Sequence, residues 1–116
     1  MRRSLILFLL LPLALLAADV TGKWNFEVEL GGGGGSPGFT FKQDGEKLTG
    51  RYSGQLGEAD VTGMVKGDDI QFSFTVRGDA GEMKITYSGK ISGDTMKGKA
   101  EYGDFGSGTF TAKRAK

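Results

Sequence analysis

One short pattern recurs along most of this chain and limits what it can fold into: an apolar residue, a small or polar residue, glycine, any residue, then an apolar residue. It occurs as Val20-Thr21-Gly22-Lys23-Trp24, Leu48-Thr49-Gly50-Arg51-Tyr52, Val61-Thr62-Gly63-Met64-Val65, Tyr87-Ser88-Gly89-Lys90-Ile91 and Met96-Lys97-Gly98-Lys99-Ala100, and more loosely around Gly108. Side chains two residues apart share one face of an extended strand, so each glycine stands between two apolar neighbours on the same face. The same two-residue alternation runs through Trp24-Phe26-Val28-Leu30, Phe39-Phe41, Ala59-Val61-Gly63-Val65, Ile70-Phe72-Phe74-Val76 and Met83-Ile85-Tyr87. From Gly22 onward no stretch shows helical spacing, so the fold class is all-β.

Eight strands follow from this alternation, and short connections make each antiparallel to the next, an up-and-down meander. Asp44-Gly45, Gly67-Asp68 and Gly93-Asp94 read as two-residue hairpin turns. Gly54-Gln55-Leu56-Gly57 and Gly78-Asp79-Ala80-Gly81 read as four-residue loops, and a three-residue loop with a bulge near Gly106 keeps Phe110 facing inward. These registers place Phe39 opposite Gly50, Phe72 opposite Gly63 and Phe110 opposite Gly98, with Lys42 beside Lys47 on the outer face. Eight strands that close remove their exposed edges, so an eight-stranded antiparallel barrel is expected, with a β-sandwich as its rival.

Residues 1–18 stand apart. Met1-Arg2-Arg3 is basic, Leu5 to Leu16 is apolar apart from Pro12, and Ala17-Ala18 precede the polar Asp19. That is the layout of a signal peptide cleaved after Ala18 or Ala17, with a retained membrane anchor as the alternative. The run is shorter than the ~20 residues a spanning helix needs. The expected domain is 19–116, secreted or periplasmic, with no membrane attachment after cleavage.

Removing Arg2 and Arg3 from the 15 basic residues leaves 13 against 14 acidic ones, with no basic cluster to attract nucleic acid. The chain has no histidine and no cysteine. That excludes Cys/His zinc sites, Ser-His and Cys-His nucleophile pairs and disulfides. The acidic residues fall in turns, such as Asp68, Asp79, Glu82 and Asp94, or on the outer face, such as Glu27, Glu29, Glu58 and Asp60. No carboxylate is expected to be buried, so nothing raises a pKa for acid catalysis. The chain reads as a protein that is not an enzyme, with no cofactor and no metal.

Four inward residues are candidates for binding a ligand. Trp24, the sole tryptophan, could stack on one or plug the barrel base. Tyr52, Tyr87 and Tyr102 are the inward residues with a polar tip, which either meets a ligand or points out through the barrel end into water. The run Gly31-Gly32-Gly33-Gly34-Gly35-Ser36-Pro37-Gly38 reads as flexible coil, a plain connection or a lid over the barrel mouth. It lacks the strand-then-helix setting of a phosphate-binding loop.

Val20-Thr21-Gly22-Lys23-Trp24 resembles the opening strand of the calycin barrels, the lipocalins and avidins, and with Leu48-Thr49-Gly50-Arg51-Tyr52 it is similar to the first and third avidin strands. Lys42-Gln43-Asp44-Gly45-Glu46-Lys47-Leu48-Thr49-Gly50 and Ser92-Gly93-Asp94-Thr95-Met96-Lys97-Gly98 look like phrases of small secreted bacterial barrels of unassigned function. The resemblance implies a barrel but not biotin. Phe26 and Leu30 stand where avidins carry asparagine and serine, Gly54 replaces a serine, and the additional tryptophans are missing, although Tyr52 matches the avidin tyrosine. Two functions remain open: a binding module for a small, largely apolar ligand, and a structural or protein-interaction domain with a filled barrel. The second would act through outward residues such as Thr62, Met64, Thr75, Thr86 and Thr109.

Overall fold

Each alternating run of the sequence becomes one strand in the computed structural model, which describes residues 18–31, 33–78 and 81–115. The strands are β1 (Gly22–Leu30), β2 (Gly33–Gly35), β3 (Gly38–Asp44), β4 (Lys47–Gly54), β5 (Gly57–Lys66), β6 (Asp69–Gly78), β7 (Gly81–Ser92), β8 (Thr95–Glu101) and β9 (Ser107–Arg114). From β3 to β9 every strand pairs antiparallel with the next, and β1 joins β3 to β9. The result is a closed, eight-stranded, up-and-down antiparallel barrel, with β2 as a short extra strand. Along the barrel strands buried and exposed positions alternate; Trp24, Phe26 and Val28 of β1 are buried while Lys23, Asn25, Glu27 and Glu29 are exposed. Residues 1–17, the bulk of the expected signal peptide, lie outside the described residues.

The sequence-based turns need three corrections. The first hairpin turns at Gly45-Glu46, with Asp44 paired to Lys47, so Phe41 rather than Phe39 faces Gly50. Gly45 takes the positive φ of +65° at the first turn position, just as Gly67 (+59°) and Gly93 (+62°) do in theirs. The shift removes the Lys42–Lys47 clash and places opposite charges side by side instead. The two stretches expected to be four-residue loops are tighter: Gly54 pairs with Gly57 and Gly78 with Gly81, leaving two residues between the paired glycines. The last hairpin turns through one turn of 3-10 helix at Gly103–Phe105, closed by the Tyr102 amide donating to the Gly106 carbonyl at 2.8 Å, and Phe110 stays opposite Gly98.

The glycine run is not plain coil. β3 pairs with β1 only from Gly22 to Asn25, which leaves the upper edge of β1 without a partner. Gly33–Gly35 folds back to fill that gap against Val28–Leu30, and the Phe26 amide donates to the Pro37 carbonyl at 3.0 Å. A Cβ on Gly34 would stand 1.9 Å from the Val28 carbonyl oxygen, so this close approach is open only to glycine.

Inside the barrel, aromatic rings fill the space. Phe26 lies 4.5 Å from Phe39 and 5.2 Å from Phe110 between ring centroids, and Phe72 stacks on Tyr87 at 5.0 Å. These spacings are those of favourable ring pairs. The motif glycines make room for the rings by letting neighbouring strands bend inward. At Gly63 a Cβ would lie 2.1 Å from the Gln71 carbonyl oxygen and 2.6 Å from the Phe72 Cα, both backbone atoms that cannot swing aside. Gly63→Ala is therefore expected to cost about 3 kcal/mol or more. Gly38→Ala, where a Cβ meets nothing within 4 Å, should change stability by less than about 0.5 kcal/mol. Chemical denaturation of the two variants checks both values.

Candidate functional site

The two ends of the barrel differ in how they are closed. At the base, where β1 begins and β9 ends, residues 18–21 cross the opening. Val20 is fully buried, and its amide donates to Gln43 Oε1 at 2.9 Å while Gln43 Nε2 donates to the Ala18 carbonyl at 3.0 Å. Trp24 is buried here, its indole Nε1 donating to the Val20 carbonyl at 2.9 Å. The Arg114 guanidinium lies 4.7 Å above the Trp24 ring. Arg114 also donates to Asp94 Oδ1 and to the carbonyls of Thr21 and Asp19, each at 2.9 Å. Covered on both sides, Trp24 acts as the plug of the base.

At the opposite end stand Tyr52 and Tyr102, with Tyr87 buried beneath Tyr102. A cleft of about 360 Å³ opens there, with Val28, Leu30, Pro37 and Leu56 as its apolar walls and Tyr52 and Tyr102 at its side. The glycine strand β2 forms its rim. The structure thus brings Tyr52 and Tyr102 to the cleft, buries Tyr87 beneath Tyr102 and leaves Trp24 at the other end. Leu56 was not legible as a site residue, and the glycine run, read from sequence as a plain connection or a lid over the mouth, reaches the cleft as the strand β2. Among the described residues no group of acidic side chains is placed to hold a metal ion, and no charged residue is buried. Asp79 lies outside the described residues.

The tyrosine hydroxyls are not out in water. Tyr52 stacks on Phe74 with centroids 4.3 Å apart, and its oxygen accepts the Leu56 amide at 3.3 Å. Tyr87 is fully buried and shares a hydrogen bond with the Tyr102 hydroxyl, which lies above it toward the cleft. Burial pushes all three phenols above their ordinary range. At Tyr52 the Leu56 amide pulls weakly the other way. The shared bond raises Tyr87 further but lowers Tyr102, as it does when Tyr87 is the donor. All three are neutral hydrogen-bonding groups at physiological pH.

Searches against protein-family models and against curated proteins return no match for this sequence. What defines the molecule is the closed barrel, plugged at the base and open at a small aromatic and aliphatic mouth.

The raised phenols set an alkaline limit. A free phenol ionises near pH 10, so above that pH the unfolded chain releases protons that the folded one retains. Stability is complete below about pH 10 and falls as the pH rises further. Phenolate ultraviolet absorbance should emerge together with loss of the near-ultraviolet circular dichroism. A phenolate step at about pH 10 in the intact fold would show hydroxyls open to water.

Proposed function

We propose that this protein is an exported, non-catalytic binding module of calycin type that takes a small, largely apolar ligand at the barrel mouth. The cleft carries this reading: about 360 Å³ sits at the lower end of the ~300–1,000 Å³ usual for small-molecule sites, and its walls are mostly apolar. The rings of Phe26, Phe39, Phe72 and Tyr87 occupy the interior below, so the ligand sits at the mouth rather than deep in the barrel. The basic start and apolar run of residues 1–18 support export to the periplasm or beyond the cell. The calycin resemblance of the Gly22-Lys23-Trp24 strand gains support from the closed barrel and from Trp24 at its base.

A filled interior also favours the second reading, a protein-interaction domain acting through its outer face. Thr49, Thr62, Ser73 and Thr86 stand in register across four neighbouring strands, and Met64, 44% exposed, lies close to that row. The two readings separate on a neutral apolar probe. N-phenyl-1-naphthylamine is expected to gain fluorescence on binding with one-to-one stoichiometry, and Leu56→Asp, at the partly exposed rim, should weaken it by at least about tenfold by placing a charge in an apolar wall. Absence of binding by the unaltered protein would favour the outer face.

A further inference from the structure

Tyr87 and Tyr102 bring two hydroxyl protons to a shared hydrogen bond that can use only one of them. Among the described residues neither hydroxyl has another partner. Tyr87 is 0% exposed and packed among Phe26, Phe72 and Phe110, none of which can accept a proton. Its proton therefore goes to the Tyr102 oxygen. Tyr102 is 6% exposed and lines the cleft, so its own proton is a buried donor whose free direction is the cleft. In the open cleft that donor faces water, so a ligand that displaces the water keeps the bond if it brings an acceptor and leaves a buried donor unsatisfied if it does not.

The rest of the lining narrows the chemistry. No charged side chain lines the cleft. The Ser36 hydroxyl is turned to the Glu27 carboxylate, at 3.1 Å from each oxygen. An anion entering here would lose water with no cation to replace it, and an ammonium group with no carboxylate to replace it; Gln55, also in the lining, is a neutral amide. We propose that the mouth selects neutral, mostly apolar molecules that carry a hydrogen-bond acceptor, such as a ketone, ester or amide carbonyl, and that the Tyr102 hydroxyl is the selecting donor. This rests on the mouth cleft being the binding site.

Acetophenone, ethylbenzene and benzoate share a ring and differ in the polar end. Titrating each into the protein, with the amide resonances of Gly35, Gln55 and Leu56 as readout, tests the proposal. Acetophenone and ethylbenzene should both shift those amides, and benzoate should bind far more weakly than acetophenone. Tyr102→Phe should weaken acetophenone about five- to tenfold, the size of effect expected for one lost hydrogen bond, and should not weaken ethylbenzene. Tyr87→Phe, which leaves the Tyr102 proton in place, should hold acetophenone within about twofold. In the unaltered protein the Tyr102 hydroxyl proton should move downfield with acetophenone and not with ethylbenzene, a readout independent of how the variants fold. Equal effects of Tyr102→Phe on both neutral ligands, or benzoate binding as tightly as acetophenone, would overturn the ligand class while leaving the mouth as a site. Silence of the mouth amides toward all three would overturn the site itself and the proposal with it.

Discussion

Large rings must share the narrow inside of an eight-stranded barrel, and the structure depends on how that space is made. Phe41 faces Gly50, Phe72 faces Gly63 and Phe110 faces Gly98, one large side chain against none in each pair. The glycines do more than leave a gap. Their missing Cβ atoms let the next strand's backbone move in, at Gly98 so closely that a Cβ would stand 2.1 Å from the Ser88 carbonyl oxygen. The strands can therefore coil tightly around the aromatic column. Without that coiling β1 could not come within hydrogen-bonding reach of both β3 and β9.

The two ends then divide the work. At the base, hydrogen bonds of Gln43 and Arg114 join segments far apart in sequence, and a local bond to Val20 seats the Trp24 plug. The mouth has fewer ties. Its rim is a three-residue glycine strand that pairs with β1 alone, and its walls are side chains from β1, Pro37, β4, the turn after β4 and Tyr102 just past β8. The long-range side-chain bonds of the base thus lie at the end away from the cleft.

Much of this was legible from residue order. Strict alternation gave the inner face of every barrel strand, since burial on one side of a sheet leaves little choice about which residues face in. The Gly67-Asp68 turn correctly set Gly63 against Phe72. The first hairpin was misplaced because Asp44-Gly45 and Gly45-Glu46 are both acceptable turns; the choice falls to Gly45, which takes the positive φ at the first position and lets Asp44 meet Lys47. The cleft was only half legible. Tyr52 and Tyr102 stand out as polar tips on an apolar face, but nothing local marks the glycine run as a strand. Its partner is an edge of β1 that opens only because β3 starts late, at Gly38.

Closure of β1 on β9 also brings the start of β1 and the end of β9 together in space. The Ala115 amide donates to the Lys23 carbonyl at 2.8 Å, and Arg114 reaches the Asp19 carbonyl. The barrel is close to a ring cut once, at its base. It cannot be completed until its last strand is present, so the pairing that closes it is among the most distant in sequence and belongs to a slow-forming topology. Any segment joined ahead of Asp19 or beyond Arg114 leaves from the plugged end. A tether, a fusion partner or a surface to which the protein is attached would lie behind it, and the mouth would face outward.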